Sequence, residues 1–234
     1  MYYPSRHKDY CKSNIFIISK INLVNLSIFH QQIMSLTYKC KRCGTCCHEV
    51  KDNEFKYVKR IPIYPEEADR MILIAKEREI EFKIIEDLVF PDLKNEEILI
   101  LTYRIRLDNE YQVCPFYHDI EGCTIQEAKP LACQAFPLAL KQVDAFNFEI
   151  SIDPHCNFVL QYYDDLESLN LEKIKENFKE EYPKAEKFYK KNKKLIFKIR
   201  KLEAIKKIVI PRQISLDDFN NYLRNWKRRD IVVK

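Results

Sequence analysis

Four cysteines fall within eight residues, as Cys40, Cys43, Cys46 and Cys47. Cysteines separated by two residues in a tight turn can aim their sulfurs at one metal ion or at one face of a cluster. The adjacent pair Cys46-Cys47 adds a constraint. Neighbouring side chains diverge, so the pair implies either two metal positions or a spare thiolate beside one. Lys41 and Arg42 stand inside the run and are expected to offset its negative charge and lower the thiol pKa values.

The steps from Cys40 to Cys43 to Cys46 have the spacing that opens a bacterial ferredoxin run, but the fourth position is Val50, so the remaining ligands must come from elsewhere. Cys114, Cys123, Cys133 and Cys156 supply them. Eight cysteines in two groups of four fill two four-thiolate sites, or one site with further structural or redox thiols. His48, His118 and His155 flank the groups as substitute ligands, though each alone reads as a solvated or core histidine. Disulfides are the competing use, but they are reduced in most cytosols and strained between neighbouring cysteines. The first segment has zinc-knuckle spacing, whereas the second has gaps of 8, 9 and 22 residues. One dense turn with remote thiolates suits an iron–sulfur cluster, expected as [4Fe–4S], with zinc as the alternative. The radical S-adenosylmethionine spacing C-x3-C-x2-C is absent.

The chain has only two glycines, Gly44 and Gly122, and both lie in the cysteine segments. Glycine is kept where the backbone needs positive φ or a close approach. The approach expected here is to the metal centre, with amides turned toward sulfur. Two glycines cannot build a Walker loop or a GxGxxG fingerprint. No nucleophile–base pair or carboxylate dyad can be located, so no catalytic residue is named, and no cofactor-binding residue beyond the thiols.

The elements that must position these thiols read as an α+β fold: a small cysteine-rich domain of short β-hairpins and helices, followed by a basic helical region. Pro65-Glu66-Glu67-Ala68 is a helix start, with proline first and acids in the first turn. Residues 81–93 read as either a short helix or a loop. Residues 98–107 alternate and are expected to form a hairpin with 111–116. Residues 135–143 and 146–152 form a second hairpin. Helix follows over 169–207, with a kink or break at Pro183. Ser215-Leu216-Asp217-Asp218 caps a last helix expected to run through Arg229.

Residues 1–33 fit poorly with the rest. They are too polar to span a bilayer and are read as an extension outside the natural protein, with Met34 as its start and Cys11 as the odd cysteine. The cysteine domain is then 34–165 and the basic region 166–234, packed on it. From Leu166 onward 20 Lys and Arg face 10 Asp and Glu, against 20 and 25 before it. A solvated helix pair explains this basic region. A nucleic-acid surface, with Tyr182, Phe188, Tyr189 and Trp226 for stacking, is the functional alternative. The setting expected is cytoplasmic, with a redox or protein partner and no membrane.

The pattern Cys40-x2-Cys43-Gly44-x-Cys46-Cys47, then Cys114-Pro115-Phe116, then Cys123-Thr124-Ile125-x4-Pro130-x2-Cys133-x2-Phe136-Pro137 resembles the YkgJ-like cysteine-cluster family. That family is described as zinc- or iron-chelating, or as containing an Fe–S cluster. The resemblance covers residues 38–157 and implies metal chelation, with Cys40, Cys43, Cys46, Cys47, Cys114, Cys123 and Cys133 at its pattern positions; Cys156 joins them on the reading of the residues above. Gln126, Lys129 and Gln134 stand where the family usually has Tyr, Arg and Arg. The reading that follows is an iron–sulfur protein serving as a redox or oxidoreductase component. A zinc-stabilised binding module is the alternative. A methyltransferase-like enzyme is a third reading, since a similar domain occurs in flagellin lysine N-methylases.

Overall fold

The computed structural model describes residues 36–48, 51–52, 57–58, 61–107, 112–144 and 148–233. The Met34 start and Cys11 lie outside the described residues. The fold is α+β, as expected. Two two-residue strands, β1 (Lys51–Asp52) and β2 (Tyr57–Val58), pair antiparallel ahead of β3 (Pro62–Ile63). Helix α1 (Pro65–Glu77) starts where the sequence places it, because Pro65 needs no amide partner and the Glu67 carboxylate caps the first turn.

The central sheet is built on β5 (Glu97–Ile105), whose Ile98, Leu99, Ile100 and Leu101 are all buried. A strand covered on both faces reads as such an apolar run. Its antiparallel neighbour is β4 (Ile84–Asp92), not 111–116 as the sequence suggested. Alternation along β4 is broken by an irregularity in the ladder between Glu86 and Val89, which hid the strand from a period-two reading. The other edge of β5 carries β3, at Tyr103 and Arg104, and a parallel strand from the basic region at Glu97–Ile100.

Three short pieces carry the second cysteine group. They are the hairpin β6 (Tyr117–His118) and β7 (Gly122–Cys123), helix α2 (Leu131–Ala135), and the hairpin β8 (Leu138–Gln142) and β9 (Phe148–Ile152). The second hairpin was legible from sequence, although Ala135 belongs to α2. Helices α3 (Asn157–Gln161), α4 (Tyr163–Glu167) and α5 (Leu171–Asn177) follow, then α6 (Glu181–Ala204). The break in the long helix falls at 178–180, ahead of Pro183, which is accommodated in the first turn of α6.

Helix α7 (Leu216–Asn225) begins at the expected cap, where the Ser215 hydroxyl accepts from the Asp218 amide at 3.0 Å. It stops at Asn225 rather than running through Arg229. Lys227–Asp230 instead forms β10, the parallel partner of β5. Alternating contacts fix the strand: Arg228 pairs with Glu86 at 2.7 Å, Arg229 with Glu97 at 3.0 Å, and Asp230 accepts from the Tyr103 hydroxyl at 2.7 Å. Leu131, Leu195, Ile199, Ile208 and Ile231 share one core cluster with Leu99 and Leu101, so α6 and β10 bury apolar surface in common with the central sheet. Trp226 stacks on Tyr222 and Phe188 packs on Tyr64. No helix among the described residues is long and apolar enough to cross a membrane.

Glu67 joins α1 to the cysteine region. Its buried carboxylate accepts from the Tyr64 amide at 3.0 Å and from the Leu131 amide, at the start of α2, at 2.8 Å. Glu67→Ala orphans both donors and is expected to cost about 3 kcal/mol, read as a lower urea midpoint, with Glu67→Gln recovering part of it.

Candidate metal centre

The first cysteine turn is anchored from below. Tyr38 is buried, its amide donates to the Asn177 carbonyl at 2.8 Å, and its ring meets Phe158 edge-on at 5.0 Å. Positive φ at Arg42 (51°) and Gly44 (79°) then reverses the chain into a 3-10 turn over Thr45–Cys47, closed by the Cys47 amide on the Gly44 carbonyl. The turn sets the Cys46 and Cys47 sulfurs 3.9 Å apart and brings Cys43 Sγ within 3.3 Å of the Thr45 hydroxyl. His48 turns back and donates from Nδ1 to the Gly44 carbonyl at 2.9 Å.

The second group is fastened to this turn by main chain. The Cys114 amide donates to the Cys47 carbonyl at 2.8 Å, and Val113 bridges His48. In the β6–β7 hairpin, Gly122 has φ 72°, and a Cβ there would lie 2.6 Å from the Arg42 carbonyl oxygen. A Cβ on Gly44 would lie 2.3 Å from the Tyr117 ring. Each glycine is therefore needed where one cysteine segment presses on the other. The close approach that the structure shows is of one cysteine segment on the other, and Gly44 also borders a narrow thiol-lined recess. Cys133 sits in α2, and Cys156, which is buried, caps α3.

All eight expected cysteines line one or both of two recesses. The narrower, about 20 Å³, is bordered by Cys40, Cys43, Cys46, Cys47, Cys123 and Cys156. The wider, about 250 Å³, is bordered by Cys46, Cys47, Cys114, Cys123 and Cys133. Cys46, Cys47 and Cys123 thus belong to the wall between them, together with the buried Lys129. None of the eight is in a disulfide. His48 borders the wider recess, while His118 accepts from nearby amides and His155 is held by Asp153 at 3.0 Å. Among the described residues no three Cys, His, Asp or Glu side chains converge on one ion-sized point. The thiols border volumes.

Burial pushes the Cys123, Cys133 and Cys156 thiols up, and Lys129 opposes the rise at the first two. Cys47 is pushed up to about 12, chiefly by the hydrogen bond it donates to Cys114. Burial acts to raise Cys43 too. The Thr45 hydroxyl and the amides of Thr45, Cys43 and Asn157 outweigh that effect, and the thiol is lowered. Lys129 is the cation that acts on Cys123 and Cys133, while Arg42 and Lys41, whose ammonium donates to Gln161, border the narrower recess. Sequence reasoning also passed over Tyr38. Burial, then the neighbouring Cys156 and Cys40, raises its phenol, which donates to Cys156. Its place two residues before Cys40 was the only signal. The donor set suits a thiophilic metal: eight unbridged sulfurs in two adjoining recesses, with one buried cation between them.

Residues 39–157 match a family model, CxxCxxCC, described as a "putative zinc- or iron-chelating domain". No curated protein and no solved structure matches the chain. The matched span takes in all eight thiols and the whole lining of the wider recess, with Tyr38 and Phe158 of the narrower one just outside it. The chain belongs to the CxxCxxCC family of zinc- or iron-chelating domains.

Proposed function

We propose that the chain holds an iron–sulfur cluster of the [4Fe–4S] type through thiolates of both cysteine segments, and that it serves as a redox or oxidoreductase component in the cytoplasm. One observation carries the reading: the eight cysteines, drawn from segments far apart in sequence, border two recesses with a common wall. Such a cluster supplies one-electron transfer, with a potential set by charge, hydrogen bonding and exposure around its sulfurs. The chain's own part is to present the thiolates and to offset their charge with Lys129. Tyr38, Phe136 and Phe158 screen the narrow recess from water.

Zinc is the second reading, and one distance favours it. The 3.9 Å between the Cys46 and Cys47 sulfurs matches the edge of a tetrahedral zinc–thiolate site, about 3.8 Å for Zn–S bonds of about 2.3 Å. Anaerobic purification followed by iron, zinc and acid-labile sulfide analysis decides between them. The expected product is brown, absorbs broadly near about 400 nm, bleaches with dithionite and contains sulfide. Zinc at one or two equivalents without sulfide overturns the iron–sulfur assignment.

A further inference from the structure

We propose that the wider recess is a binding site for a small organic anion with an apolar body, seated beside the thiols. Its volume, about 250 Å³, lies near the small end of ligand pockets. One wall carries sulfur, from Cys47, Cys114 and Cys133. Apolar residues join them, among them Met71 of α1 and Ile125, both buried in one core cluster. Three cations, Arg104, Arg106 and Lys129, belong to the lining, and no Asp or Glu is among the described residues that form it.

The charge imbalance separates this recess from an ordinary packing defect. A void left by imperfect packing is apolar and stays dry. Other arginines here have fixed partners: Arg228 meets Glu86 and Arg229 meets Glu97, while Arg78 donates to the Thr124 carbonyl. Arg104 is placed otherwise. It stands on β5 with Pro62 of β3 and Ile85 of β4 as its cross-strand neighbours, so neither adjoining strand sets a carboxylate opposite it. Two planar guanidinium forks bordering one recess are suited to a carboxylate or phosphate head, which they can bind in bidentate fashion. The apolar lining takes the body of such a ligand. The proposal rests on the proposed metal centre in one respect: the metal, whichever it is, lies against the thiols and leaves the arginine side of the recess open.

Isothermal titration calorimetry of the chain as purified anaerobically tests it, with octanoate, octyl phosphate, octanamide and inorganic phosphate as probes. Octanoate or octyl phosphate is expected to bind at least about tenfold more tightly than octanamide or inorganic phosphate, because charge-assisted bonds and apolar burial act together. The Arg104→Gln/Arg106→Gln chain is expected to lose that preference, with its metal content and circular dichroism unchanged. Arg212→Gln, remote from the recess, serves as the control and is expected to bind normally. Octanamide binding as well as octanoate reduces the recess to an apolar cavity and overturns the proposal. Inorganic phosphate matching octyl phosphate also overturns it, by showing a simple anion site. So does failure of all four probes to bind, or undiminished octanoate binding by the double variant. Metal content is measured separately, so failure here leaves the thiolate centre standing, and loss of metal alone does not touch this result.

Discussion

The Cys133→Ser chain, purified without oxygen, is expected to keep only a small fraction of the metal held by the parent chain. Cys133 projects from α2, whose first amide is held by the buried carboxylate of Glu67, so its place on the wall of the wide recess is fixed by the fold. Its surroundings desolvate the sulfur. A serine hydroxyl is nearly isosteric there but is a poor ligand for a thiophilic ion. Loss of hydrogen-bonding partners around a ligand already costs about 10- to 100-fold in metal affinity, and loss of a ligand itself should exceed that. Cys43→Ser, on the narrow recess, is expected to behave in the same way, while Cys11→Ser leaves metal content unchanged. Metal analysis per chain, with circular dichroism to confirm folding, reads the result. Full metal retention by Cys133→Ser removes α2 from the centre and confines binding to the first turn and its near neighbours.

Gly122→Ala is expected to be the most damaging single methyl group that can be added to the cysteine region. The residue has φ 72°, where an L side chain is strained, and the new carbon would sit 2.6 Å from a main-chain oxygen of Arg42. Backbone cannot swing aside as a side-chain tip can. Either the hairpin or the first cysteine turn must move, at a cost of about 3 kcal/mol. Gly44→Ala should cost less, since the atoms in its way belong to the Tyr117 ring. Urea unfolding of the two variants reads the difference. The Gly122→Ala chain should also lose metal, because its displaced hairpin carries Cys123. Equal midpoints for Gly122→Ala and the parent chain contradict the interlock.

The parts legible in sequence were those written locally. Pro65, Glu66 and Glu67 announce α1, and Ser215 announces α7, because capping depends on residues within one turn. The cysteine pattern was legible for the same reason: its specificity lies in residue type and spacing. What was lost depends on residues distant in the chain. Arg228 and Arg229 read as the end of a solvated helix, and pairing with the distant β5, with Glu86 and Glu97 beside them, makes them a strand. The partner of β5 was sought on the wrong side of it, because β4 does not alternate cleanly. Positive φ at both glycines was foreseeable from composition, but what they make room for was not. Proximity in sequence points to Lys41 and Arg42 as the charge beside the thiols, and both border the narrower recess, but only three dimensions bring Lys129 to it as well.

The parallel pairing of β10 with β5 sets an order of events during synthesis. Glu97–Ile100 pairs with β4 on one edge, but on the other its neighbour is Lys227–Asp230, and all eight thiols precede that strand. A nascent chain therefore exposes its full set of sulfurs while the hydrogen-bonding groups of one sheet edge are still bare. An uncovered edge invites pairing with other chains. The interval between emergence of Cys156 and arrival of β10 is thus when the chain is open both to loading and to aggregation.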